Sequence, residues 1–188
     1  SALGPHVDDV VGEKRNAFPF DVADGESRAI WVEYRVPPGQ PPGTYRGAVK
    51  VTSSEGEATV PVAFTVWDFE LPSTASLRSY FGLSYGLVAQ GHGVSGDEDA
   101  ALRARYAQLG LDHRISVEVA DDGNQRDLGH FDRFYGALAE GTAPTRLPGA
   151  RLTAVRFVGD PASADEQRAW AAHARERGWF DRLFQYTC

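Results

Sequence analysis

Residues 17–69 alternate between apolar and polar with a period of two. In "RAIWVEYRV", Ile30, Val32, Tyr34 and Val36 share one face, and Trp31, Glu33 and Arg35 share the other. "TYRGAVKV" puts Tyr45, Val49 and Val51 on one side, against Arg46 and Lys50. "ATVPVAFTVWDF" continues the pattern through Val60, Val62, Phe64 and Val66. Such alternation is what strands with one buried face require. The rigid "PPGQPPG" loop and the tight "SSEGE" turn predict antiparallel connections, hence a β-sandwich portion of four or five strands. A complete sandwich needs about seven strands, so this portion is expected to be incomplete on its N-terminal side.

After "LPSTAS" the period changes. "LRSYFGLS" predicts a strand, followed by a glycine-rich loop, "YGLVAQGHGVSG". Ser95 and Glu98 have capping-box spacing at the start of a helix whose apolar stripe is Leu102, Tyr106 and Leu109. "RISVEVA" predicts a second strand. From about Asp127 a helix carries Leu128, Phe131, Tyr135 and Leu138 on one side and stops at Gly141. "LTAVRFV" predicts a third strand. Ser163 and Glu166 open a further helix that ends at Gly178, and "RLFQYT" predicts a fourth strand. The order β-α-β-α-β-α-β implies a parallel sheet with right-handed crossovers. It fits either a small open sheet or the first half of an eightfold barrel.

The expected organisation is therefore a β-sandwich portion over 1–72 and an α/β portion over 73–188.

Composition narrows the function classes. At 188 residues, with 42% hydrophobic and 24% charged residues, the chain can form one medium or two small folded domains. A net charge of −7 argues against a nucleic-acid surface. Lys14 and Lys50 are the two lysines among 19 basic residues, which are spread along the chain without a run. No apolar stretch reaches the roughly 18 residues of a membrane span, and no signal-peptide pattern is present. A single cysteine excludes an internal disulfide and a cysteine-based zinc cluster. The absence of methionine, even at position 1, points to a processed product or an expressed piece of a longer chain.

Several stretches resemble one family. "GTYRGAVKVTSSEGEATVPVAFTVWDFELPSTASLRSYFGLS", "RYAQLGLDHRIS" and "WFDRLFQYTC" are similar to glycoside hydrolase family 123, over nearly the whole chain from about Phe18. In that family a β-sandwich leads through a "VWDF-LP" segment into a (β/α)8 barrel. The resemblance implies an exported β-N-acetylgalactosaminidase or close relative, extracellular or periplasmic, acting on terminal β-linked N-acetylhexosamine. It implies substrate-assisted retaining hydrolysis, in which the 2-acetamido group attacks the anomeric carbon. An Asp orients that group and the adjacent Glu serves as acid and then base. The resemblance puts this Asp-Glu pair directly after Cys188, so no residue of the chain receives a catalytic role and the chain itself is expected to be inactive. No cofactor is implied. The open sheet edges are expected to be covered by the remainder of the barrel or by another chain.

On the barrel expectation, loops 84–96, 118–126 and 159–162 lie at the active-site end, and 111–113 and 141–150 at the opposite end. The candidate substrate-binding residues are Tyr85, His92, Glu118 and Asp160. Tyr85 and His92 offer a ring and a polar group to a sugar; each fits a plain surface loop as well. In "RISVEVA", Ile115, Val117 and Val119 share a face. Glu118 therefore points the other way, in phase with Arg156 of the third strand, and a Glu118–Arg156 pair is expected there. Asp121 and Asp122 in "DDGN" lack the further oxygens of a calcium loop and are expected to shape a turn. Asp160, before Pro161, is also a turn former. His113 lies at the wrong end for catalysis, and the five histidines are too scattered for a metal site. "GHGVSG" lacks phosphate-loop spacing, and "GLSYG" lacks the context of a nucleophile elbow. A different class remains open, a non-catalytic carbohydrate-binding or interaction module.

Overall fold

A computed structural model describes residues 6–7, 14–15, 18–119, 122, 124 and 127–185. Asp121, Arg126 and Cys188, along with the end of the expected fourth strand, lie outside the described residues. The chain divides into two compact units, one of them Phe20–Leu71 and the other containing everything from Pro72 onward.

Two short segments come first in the chain. β1 (His6–Val7) pairs antiparallel with β2 (Lys14–Arg15).

The unit Phe20–Leu71 is built on one hairpin. β3 (Gly43–Ser53) pairs antiparallel with β4 (Gly56–Val66) in full register, from Gly43↔Val66 to Ser53↔Gly56. Ser53 closes the turn, its hydroxyl bonding the Gly56 carbonyl and accepting the Glu55 amide. The alternation is realised across the pair. Tyr45↔Phe64 and Val49↔Val60 share the apolar face, and Arg46↔Ala63 and Lys50↔Thr59 share the other. Lys50 Nζ reaches Glu57 Oε2 at 2.7 Å on that polar side.

The expected sandwich does not form. "RAIWVEYRV" is extended without a ladder partner; Tyr34 only stacks against Phe64, with ring centroids 6.0 Å apart. No residue of this unit is buried. Alternation specifies which face wants cover but supplies no partner. A two-strand ribbon cannot bury a core between its own strands.

The unit from Pro72 onward holds the core. α1 (Tyr85–His92) occupies what the glycine pattern predicts as loop, and closes on Gly93 in the left-handed region. α2 (Asp97–Asp112) starts after Gly96, with no side-chain cap, so Ser95 does not form the expected capping box. Its buried face is Ala100, Leu102, Arg103, Ala107 and Leu111, which shares only Leu102 with the expected stripe. The helix ends in a tight reversal, with His113 as C-cap. Ile115 N–H returns to the Gly110 carbonyl at 2.9 Å, and Arg114 takes φ 59°.

Asp127 caps the next helix, accepting the His130 amide. That helix runs as α3 (Leu128–Phe131), a π-helical turn (Asp132–Gly136) and α4 (Ala137–Glu140), stopping at Gly141 in the left-handed region. Of the expected face, Phe131, Tyr135 and Leu138 are buried and Leu128 is partly buried against them. β5 (Val155–Arg156) follows, then α5 (Ala164–Glu176), whose cap is Ser163 as expected. A 3-10 turn (Phe180–Arg182) leads into β6 (Leu183–Phe184).

The strands are short and do not close a barrel. Phe81 makes a single parallel bridge with Val117, and β5 pairs parallel with β6 through Val155↔Leu183 and Arg156↔Phe184. Neither a sandwich nor a half-barrel forms among the described residues, which corrects the expected fold class. One physical reason lies in Ser79, Ser116 and Thr153. Thr153 Oγ1 accepts the Ser79 amide at 2.9 Å, Ser116 Oγ accepts the Thr153 amide at 2.8 Å, and Ser79 Oγ accepts the Ser116 amide at 3.0 Å. The Ser116 and Thr153 hydroxyls meet at 3.0 Å. Side-chain hydroxyls here take backbone donors that a longer ladder would use.

The core lies between these segments and the helices. Trp179, Phe131 and Trp170 are almost wholly buried. Their rings meet at 5.2–6.2 Å, and Phe157 abuts Trp170 at 5.9 Å. Each such aromatic pair is worth about 0.5–1.5 kcal/mol beyond its buried area. Arg182 is buried too, donating to the carbonyls of Ala139 at 2.6 Å and Leu152 at 2.7 Å. Its guanidinium satisfies carbonyls left by a helix end and an irregular segment. Among the described residues no helix is long and apolar enough to cross a membrane.

Candidate functional site

The period of two in "RISVEVA" and "LTAVRFV" decides what the parallel segments present on each side. Val117, Val119, Val155 and Phe157 enter the core. Glu118 and Arg156 therefore point to the opposite face, where Arg156 Nη1 donates to Glu118 Oε1 at 2.6 Å. Both are only partly exposed, with side chains 14% and 31% accessible. The expected pair exists.

Two aromatic residues lie on that side. Tyr80, just before the Phe81 bridge, and Phe184 of β6 meet edge to face with centroids 4.9 Å apart, both half-buried. Burial, and then the hydrogen bond and charge of Glu118, push the Tyr80 hydroxyl well above its ordinary value, with Arg156 opposing. The phenol thus remains a neutral hydrogen-bonding group. Tyr80, Glu118 and Arg156 line a cavity of about 10 Å³ together with apolar residues that include Val117, Val155 and Val158.

The other candidates take different roles. Tyr85 is 4% exposed, its hydroxyl donating to the Glu118 carbonyl and its ring lying under the Arg103 guanidinium at 4.5 Å. It presents no face for a sugar. His92 ends α1 and hydrogen-bonds Tyr106 through Nε2 at 3.1 Å. Asp160 shapes its turn, with Oδ1 accepting the Ala162 amide at 2.9 Å and its own amide donating to Glu166 Oε2 at 2.7 Å.

Asp122 does more than shape a turn. Its Oδ1 accepts the Asn124 amide at 3.0 Å, and its Oδ2 binds His130 Nε2 at 2.7 Å and the Tyr135 hydroxyl at 2.6 Å. The side chain is 2% exposed. Burial alone raises such a carboxyl. The bonds from Tyr135, His130 and the Asn124 amide, with the His130 charge, more than offset it and hold Asp122 below its usual range. Sequence reasoning missed this clamp, because its partners sit eight and thirteen residues further along. Tyr80 and Phe184 were likewise legible only as strand residues.

A donor and an acceptor side by side, next to the Tyr80 ring, suit a neutral polar ligand with hydrogen-bonding groups of both kinds. No group of three or more His, Cys, Asp or Glu among the described residues could hold a metal ion. No protein-family model matches the chain, and no curated protein matches it.

Proposed function

We propose that this chain belongs to a glycoside hydrolase and binds a terminal β-linked N-acetylhexosamine, with N-acetylgalactosamine the expected sugar. The sequence likeness to family 123 supports the sugar class and the substrate-assisted retaining chemistry. The observation that carries the proposal is the Glu118–Arg156 pair with Tyr80 beside it, Phe184 packing edge to face on the Tyr80 ring. An acetamido group offers one N–H donor and one carbonyl acceptor, which complement a carboxylate and a guanidinium held together. The Tyr80 ring beside the pair offers an apolar surface to a C–H face of a pyranose.

The chain itself binds without cleaving. Glu118 is engaged by the Arg156 guanidinium and serves there as a hydrogen-bond acceptor.

Equilibrium titration with N-acetylgalactosamine and with galactose tests the proposal. Saturable binding of the first is expected, with galactose weaker and Arg156→Met weakening it about tenfold, the worth of roughly 1.4 kcal/mol. A nitrophenyl N-acetylgalactosaminide is expected to stay intact. Absence of saturable binding, or binding indifferent to Arg156→Met, overturns it.

A further inference from the structure

We propose that Tyr85 is a positioning residue for Glu118, acting through the backbone and not by touching a ligand. The inference deepens the sugar-binding proposal and rests on it for its functional meaning, though the mechanical link can be tested separately.

Three different elements hold Glu118. Its amide donates to the Phe81 carbonyl at 2.8 Å. Its carboxylate is held by Arg156 of β5. Its carbonyl accepts the hydroxyl of Tyr85, the first residue of α1. A half-buried carbonyl at the end of a short ladder needs a partner, and a side chain supplies it here.

The strut is itself braced. The Arg103 guanidinium covers the Tyr85 ring, and its Nε and Nη2 reach Asp99 Oδ2 at 3.0 and 2.9 Å, one turn earlier on α2. The Arg103 and Asp99 side chains are 8% and 13% exposed. Swinging the ring away therefore means unstacking a buried cation. Burial foremost, with Glu118 and Asp99 adding to it against Arg103, holds the phenol well above its ordinary value, so it stays a donor. With amide, carbonyl and carboxylate each fixed, the direction of the Glu118 side chain is set before a ligand arrives.

Tyr85→Phe isolates the effect, since it keeps the ring beneath Arg103 and removes only the donor. The readout is rotation of the Arg156 guanidinium, followed by nitrogen-detected NMR on the full chain; a firmly held pair slows it. Tyr85→Phe is expected to speed that rotation about threefold. Asp99→Asn, which keeps the hydroxyl but loosens its brace, should speed it less. Tyr106→Phe, which touches only the His92 contact, should leave it unchanged. If Tyr85→Phe fails to fold, the Asp99→Asn rate decides. Unchanged rotation in both variants overturns the proposal. Faster rotation without N-acetylgalactosamine binding by the wild-type chain sustains the strut and removes the sugar-binding proposal instead.

Discussion

Arg156 Nη1 donates to Glu118 Oε1 at 2.6 Å, from β5 to the segment beside it, on the face turned away from the core. Lower on the same two segments, the hydroxyls of Thr153 and Ser116 meet at 3.0 Å. A wholly exposed pair contributes about 0–1 kcal/mol, but these side chains are mostly shielded. In a double-mutant cycle of Glu118→Gln and Arg156→Met, read by urea unfolding, a coupling energy of about 1–2 kcal/mol is expected. A coupling near zero means that the pair is not formed in solution.

Asp122 makes stability depend on acid. Its folded-state carboxyl lies below the ordinary value of 3.8, so the unfolded chain binds the proton first as pH falls. The Asp122 contribution is therefore complete above that value and disappears as pH drops through the folded-state one. Asp122→Asn should be less stable than wild type at pH 7, and the difference should shrink below pH 3.8. Urea unfolding across that window checks it; a pH-independent difference contradicts the clamp.

Thr153→Val keeps the shape of the side chain and removes a hydroxyl that serves Ser79 and Ser116. Several buried polar groups lose a partner at once, so a loss of about 2–3 kcal/mol is expected in chemical denaturation. Thr153→Ser should recover most of it.

Gly110 sits under the reversal that follows α2. A Cβ there would lie 2.9 Å from the Ile115 carbonyl oxygen, a backbone atom that cannot swing aside. Gly110→Ala gains helix propensity of about 1 kcal/mol, yet the clash should outweigh it. A net loss of about 1–2 kcal/mol in thermal or urea unfolding is expected.

The helices are legible where caps and apolar stripes agree. Ser163 caps α5, and Phe131, Tyr135 and Leu138 form the buried face of α3–α4, because both signals are local. The Glu118–Arg156 pair is legible for a related reason, since the alternation of Val117, Glu118 and Val119 holds, although Ile115, expected with the valines, is exposed and Ser116 is buried. The sandwich was misread because "RAIWVEYRV" alternates without finding a ladder partner, and pairing is not a local property. Tyr85 reads as a loop residue open to a sugar or to solvent because nothing local reveals Arg103 over its ring. The Asp122 clamp was invisible for the same reason, its partners arriving only once the helix packs. Ser79, Ser116 and Thr153 read as ordinary strand residues, yet their hydroxyls stand in for ladder bonds and keep the strands short.

Chemical-shift mapping with N-acetylgalactosamine tests the central claim most directly. The predicted result is a saturable set of shifts confined to Tyr80, Glu118, Arg156 and Phe184 with their immediate neighbours, abolished by Glu118→Ala in a chain that still melts cooperatively. Shifts gathered on the hairpin, or none at all at saturating sugar, would contradict it.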